Sequence, residues 1–485
     1  MPLPVRRPSF PLLVALTAYL AAALCYALVT PLWQAPDEPA HYNYVRYLVE
    51  HQSLPVLQPG DYPHEYLEEL KAAGFPPEMS IASIRYESHQ PLLYYSLAAP
   101  ILWPLVGEPL ATQVYGLRLL SVALGATALL LTYRLGLRLW PRSSGLAAAL
   151  AATSALVPMH TAVSAAINND LLAEVLVIAT VLVGTNLSPG PSADAGRGVS
   201  PFARFGKGGG GLGSLGLIAG LCILTKLSAA IALPLALLAV AIAWWKTGRT
   251  HRSAATTTPS VGADLCVRPA SSPPVVPTLL PSLLRVLLPS LALAALWVGR
   301  NVLTYGLGDP LGQARHDAIV TGQLRTGELL AQVGLAEFLR RGVETAFKSF
   351  WGVFGWMGVP MHEQVYWMLA IGSAVAALGL ALGGWARPRQ RGQARAWPWL
   401  AILGVWGVLS LAGLVWYNLK FVQPQGRYLF AAMPVWAAML VEGLRQIQRR
   451  VPIVWRWPRQ VSALALMALW LLDIAGALYY VRLYL

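Results

Sequence analysis

At 485 residues the chain could hold about three average soluble domains, yet 56% of it is hydrophobic, only 12% is charged, and its mean hydropathy is +0.53. These values exclude an ordinary soluble globular protein and a disordered one, and leave a polytopic membrane protein. The net charge of +14 does not point to nucleic acid, because the basic residues alternate between loops instead of forming one stripe interleaved with aromatics.

A hydrocarbon core about 30 Å thick takes about 20 apolar residues per helix. Stretches of that kind predict an all-α fold of about eleven spans, near 10–32, 113–136, 144–160, 171–187, 212–225, 228–245, 284–303, 365–386, 397–417, 428–444 and 460–481. The first stretch follows Arg6 and Arg7, runs past 20 residues and has no small-residue cleavage site after it, so it reads as a span and not a signal peptide. Placing the N-terminus inside puts 22 of the 36 Lys and Arg in the cytoplasm, Arg134, Arg138 and Arg142 among them. Of the 22 acids, only Asp194, Asp264 and Glu442 join them there. That is the positive-inside pattern, and it leaves the C-terminus, Leu485, outside.

In chain order, the first outer loop, about 33–112, opens with Trp33-Gln34-Ala35-Pro36-Asp37-Glu38-Pro39-Ala40-His41-Tyr42. It then shows two short amphipathic helical patterns, one with Tyr44, Val45, Leu48 and Val49, the other with Tyr66, Leu67 and Leu70, and reads as an ordered cap. Its end, Gln90 to Gly107, is apolar but too awkwardly placed to be a span, since counting it would send the Arg134 to Arg142 cluster outside. It predicts an interfacial helix with Tyr94, Tyr95 and Trp103 as headgroup-level anchors.

Loops at about 188–211 and 250–282 are rich in Gly, Pro, Ser and Thr and predict flexible cytoplasmic linkers. A second outer segment, about 304–364, holds the aromatic run Phe347 to Trp356. The three cysteines, Cys25, Cys222 and Cys266, offer neither a disulfide framework nor a zinc site.

Ionisable side chains at span ends are costly and tend to mark function. At the outer boundary these are Asp37, Glu38, His89, Arg118, Asp170, Lys226, Arg300 and Arg427, the last two accompanied by Asn301 and by Gly426 and Tyr428. Asp37 and Glu38 suit either the start of a helix, as N-cap and first-turn carboxylate, or a general base at a dry interface. Asp170 suits an N-cap, or a second carboxylate that orients a sugar or, with Asp37, holds a divalent cation. Lys226, Arg300 and Arg427 could each snorkel to headgroups; together they make a ring able to hold a phosphate. His89, in its Pro-bounded loop, is structural or substrate-binding. Gly426 would let backbone approach that phosphate.

The acidic pair after span one, the Pro91-Leu92-Leu93-Tyr94-Tyr95 stretch, Arg118 and the Asn168 to Asp170 turn resemble the GT-C superfamily of membrane glycosyltransferases, in particular protein O-mannosyltransferases and lipid A aminoarabinose transferases. The Arg300-Asn301 to Asp309-Pro310 loop, Phe350-Trp351-Gly352 and Gln425-Gly426-Arg427-Tyr428 are closer still to a bacterial polytopic branch of that superfamily. This chain departs from it in carrying Gln90-Pro91 where two prolines are usual.

The resemblance implies a single membrane domain that moves a sugar from a polyprenyl-phosphate donor to a lipid, glycan or protein hydroxyl at the extracytoplasmic face, with inversion and with Asp37 as catalytic base. No cofactor is required on this reading, a divalent cation being the alternative to the basic residues. The rival is a transporter or flippase of lipid-linked sugars, which should place polar groups near the bilayer midplane, where these spans read as almost clean.

Overall fold

The computed structural model describes residues 9–187, 210–255, 278–383, 397–450 and 458–484. Most of the two linkers expected at 188–211 and 250–282, with Cys266, lies outside the described residues. The chain is all-α: among the described residues the only strands are β1, Val353–Phe354, and β2, Val359–Pro360, which form one antiparallel hairpin.

Helix α1 is Phe10–Val29, apolar throughout and started by a proline in its first turn. It ends where Thr30 turns extended ahead of Pro31, because a residue before proline is pushed out of the helical region. The first outer loop then forms α2, Glu38–His51, α3, His64–Ala72, and α4, Leu93–Leu102. These share an apolar cluster of their own, built from Trp33, Tyr44, Val45, Leu57, Leu70 and Tyr95 among others. Tyr94 and Tyr95 are fully buried in it, and Tyr95 stacks on Tyr44 at 3.6 Å, so the expectation that they anchor to headgroups is corrected. Trp103, 65% exposed, keeps that role open.

Helix α5, Leu110–Leu139, is 30 residues or about 45 Å long, and packs against α1, α6 and α8. Helix α6, Ser144–Ala155, begins on a Ser143 hydroxyl that accepts from the Leu146 amide. A 70° bend then separates it from α7, Pro158–Ser164, since Val157 is extended before Pro158. Helix α8 is Asp170–Asn186, and α9, Gly210–Thr225, lies against it.

The remaining helices are α10, Ala232–Ala255, α11, Leu279–Tyr305, α12, Gln313–Ile319, α13, Thr326–Trp351, α14, Glu363–Gly383, α15, Trp397–Asn418, α16, Met433–Arg450, and α17, Pro458–Tyr484. Helices α14 and α16 cross where each offers a glycine: a Cβ on Gly379 would stand 2.0 Å from the Gly443 carbonyl oxygen.

Each of the eleven expected stretches overlaps a helix, but the one at 144–160 is split by the bend between α6 and α7, and the one at 428–444 opens in the 3-10 turn Gly426–Ala432. Among the described residues, six helices are long and apolar enough to cross a membrane, or seven if the bent pair α6 and α7 counts as one. Of the others, α8 has 17 residues and carries Asp170 and Glu174, α16 is amphipathic and ends on Arg449 and Arg450, and α17 is 27 residues long and apolar over Met467–Tyr480.

Candidate active site

Between the loop cap and the helical bundle lies a cavity of about 1320 Å³. Its polar lining includes Asp37, His41, Glu87, His89, Asp170, Lys226, Arg427 and Tyr428. Its apolar lining includes Ile223, Leu227, Ala230, Ile231, Leu409, Gly413 and Trp416.

Asp37 is held in the left-handed region, φ 68°, ψ −7°. A non-glycine residue held there is strained and is kept only when its surroundings insist. Asp37 is the N-cap residue of α2 through its carbonyl, which accepts from the His41 amide, but its side chain makes no capping hydrogen bond. Instead the Arg427 guanidinium donates to Oδ2 at 2.6 Å and the Tyr86 hydroxyl donates to Oδ1 at 2.7 Å. The side chain keeps a quarter of its surface, turned to the cavity. Burial raises the carboxyl pKa, but Arg427, His41 and Tyr86 outweigh it and hold it at about 2. His41, one turn along α2, is lowered to about 4 by burial and stays neutral, its Nδ1 2.8 Å from the Tyr95 hydroxyl.

A second ion pair faces the same cavity. Lys226, just past α9, donates to Asp170 at 2.6 Å. Asp170 is again not a side-chain cap; it is the first residue of α8, and its amide donates to Asn168. Tyr428 donates to Gln423 at 2.8 Å, with the Arg427 guanidinium over its ring.

Four sequence candidates stand elsewhere. Glu38 and Arg118 are completely buried and absent from the cavity wall. Arg118 spends its five N–H donors on the two Glu38 oxygens, at 2.8 and 2.6 Å, and on the carbonyls of Ala27, Thr30 and Pro31. Glu38 also accepts from the amides of Trp33 and Ile167. The pair ties the end of α1 to α2, α5 and the loop before α8; that is a structural position, not one that can meet a substrate. Arg300 donates to the Pro55 carbonyl and to Asn301, and lies over Trp297, so it clamps the first outer loop to α11. Asn301 is buried and donates to Pro310. The expected ring of three cations is therefore two at the cavity, Lys226 and Arg427.

Gly426 serves helix packing: a Cβ there would stand 2.3 Å from the Ala346 carbonyl oxygen on α13, and its amide donates to Ser349. His89 lines the cavity with its Nδ1 at the Tyr86 carbonyl and its ring 4.3 Å from that of His316; burial and His316 push its pKa well below the usual value.

Sequence reasoning missed Tyr86, Glu87, His41 and His316. His41 could have been found from its four-residue spacing after Asp37, and Glu87 from its place two residues before His89. It also missed a buried polar set inside the bundle, where His160 Nε2 lies 2.7 Å from Glu174 and Thr161 donates to Asp473 at 3.0 Å. The spans are not clean, and that argument against a transporter falls.

No family profile and no characterised protein matches the sequence. Among solved structures, the chain is similar to ArnT from Cupriavidus metallidurans bound to undecaprenyl phosphate, with 14% identity, 98% of this chain and 73% of that one covered, and a TM-score of 0.46. It is also similar to the Archaeoglobus fulgidus oligosaccharyltransferase AglB with an inhibitory peptide and a dolichol-phosphate, with 13% identity, 97% and 55% covered, and a TM-score of 0.42. The chain thus spans about half the length of the oligosaccharyltransferase. At these scores the likeness carries no argument about activity.

A further structure of the oligosaccharyltransferase, TM-score 0.42, contains zinc and sulfate. Here the two carboxylates that would flank a cation, Asp37 and Asp170, are each engaged by a basic side chain. Among the described residues no group of three or more His, Cys, Asp or Glu is placed to hold a metal.

Proposed function

We propose that the chain is a glycosyltransferase that moves a sugar from a polyprenyl-phosphate donor to an acceptor hydroxyl, by inverting single displacement, at the extracytoplasmic membrane face. The observation that carries this reading is the strained Asp37, whose carboxylate is aimed into an amphiphilic cavity beside Arg427. A substrate with an anionic head and a prenyl tail matches a cavity whose wall offers both cations, Lys226 and Arg427, and aliphatic and Trp side chains.

The acceptor oxygen attacks the anomeric carbon, Asp37 takes its proton, and the lipid phosphate leaves against Arg427 and Lys226. A carboxyl held at about 2 is a weak base while Arg427 is bonded to it. Donor phosphate competes for that guanidinium, and a loosened Asp37 gains basicity as the hydroxyl proton turns acidic in the transition state. The acceptor is a lipid, glycan or protein hydroxyl.

The test is incubation of the purified protein with radiolabelled polyprenyl-phosphate sugars. Loss of label from the lipid is expected. Movement of intact labelled lipid across a vesicle, with no bond cleaved, would replace this reading with the transporter, which the His160, Glu174 and Asp473 set keeps in play. The face follows from the distribution of Lys and Arg: a cysteine at Ser53 should react with impermeant thiol reagent in intact cells and one at Ser143 should not, and the reverse would turn the site inward.

A further inference from the structure

Glu87 lies in the short 3-10 turn Tyr86–His89, in the polar lining of the cavity. Its residue is 9% exposed, and its Oε2 is buried with no hydrogen-bond partner. The groups around it are Asp37 from the start of α2, Lys226 from the end of α9, Arg427 from the turn before α16, and the Gln90 amide. The phenols of Tyr95, on α4, and Tyr417, on α15, are near enough to feel its charge. The two cations are already committed, Arg427 to Asp37 and Lys226 to Asp170, both at 2.6 Å.

Charge arithmetic then decides the state of Glu87. If it is ionised, three carboxylates face two cations, the third with an oxygen bonded to nothing, an arrangement that is costly at a buried position and repels phosphate. If it is neutral, the pairs balance, and its O–H, unpartnered in this structure, can donate to a ligand once the carboxyl turns about its terminal bond toward the cavity that the residue lines.

We infer that Glu87 is a neutral carboxylic acid whose O–H donates to a phosphoryl oxygen of the lipid donor, so that donor binding and Glu87 protonation are linked. This rests on the reading proposed above and names a phosphate contact that reading lacks. Burial and the Asp37 charge push the Glu87 carboxyl up to about 8, which keeps it protonated at neutral pH. The sign follows: the contact is present below about pH 8 and is lost as pH rises through it. His41 and His89 titrate below this window. Lys226, held charged by Asp170, does not titrate within it.

The test is equilibrium binding of undecaprenyl-phosphoryl-glucose, a phosphodiester of constant charge, to the purified full-length protein between pH 6.5 and about 9.5. Wild-type affinity should be level at low pH and fall by about tenfold per unit above pH 8. Glu87→Gln, whose amide donates but cannot ionise, should bind within a few-fold of wild type at pH 6.5 and stay level throughout. Glu87→Asp, still an acid, should keep a falling limb. A wild-type profile that is level across pH 8, or a Glu87→Gln profile with the wild-type slope, overturns the inference. Absence of binding by every protein at every pH overturns the donor reading and this inference with it.

Discussion

Asp37 and Glu38 are adjacent carboxylates, and each meets an arginine at 2.6 Å, Arg427 for the first and Arg118 for the second. The two pairs differ in what surrounds them. Glu38 and Arg118 are sealed from solvent, and every donor and acceptor between them is spoken for by three segments of backbone. Asp37 and Arg427 keep 25% and 11% of their side-chain surface, all at the cavity, and rest on a strained backbone. A saturated pair can only hold the chain together, whereas an unsaturated one beside open volume can exchange partners with a substrate. The left-handed turn at Asp37 lies where the two diverge, the first carboxyl at the cavity and the second in the sealed pair.

That contrast breaks most sharply at the sealed pair. Glu38→Gln leaves the Arg118 charge buried without its counter-ion, a change of about 3–5 kcal/mol. A marked drop in thermal unfolding temperature and in folded yield is expected; a variant as stable as wild type would mean that the pair does not hold α1, α2 and α5 together.

At the open pair the expected loss is in binding. Arg427→Gln removes a charged contact to phosphate, about 1.5–3 kcal/mol, which is a donor affinity lower by about 10- to 150-fold. Stability should change less than in Glu38→Gln. Donor titration checks this, and wild-type affinity in the variant would move the phosphate away from Arg427.

The smallest effect is expected at Arg300, which the sequence alone places beside Arg427. Its hydrogen bonds to Pro55 and Asn301 predict a loss of about 1 kcal/mol of stability in Arg300→Gln, with donor affinity unchanged. A weakened donor affinity would bring Arg300 back to the phosphate.

The helical membrane fold was legible because apolar length and the bias of Lys and Arg are properties of local sequence. So was the neighbourhood of the site, since Asp37, Asp170, Lys226 and Arg427 are polar residues at the ends of apolar stretches. Which carboxylate faces the cavity was not legible, because the fold around the two residues sets it. Nor was the work of Gly426, which fits the approach of α13 from about 80 residues away, or of Tyr94 and Tyr95, whose rings pack under α2. Glu87 escaped notice because its character comes from Asp37, Lys226 and Arg427, three groups brought to it by the fold.

The most direct measurement sets Asp37→Asn beside wild type, following turnover of labelled donor, donor affinity and thermal stability in the same detergent. Loss of general-base catalysis predicts turnover lower by about 10²- to 10⁴-fold, with donor still bound and the fold intact. Turnover within a few-fold of wild type, in a stable protein that binds donor, would show that the open carboxylate does no chemistry and that the two pairs differ only in exposure.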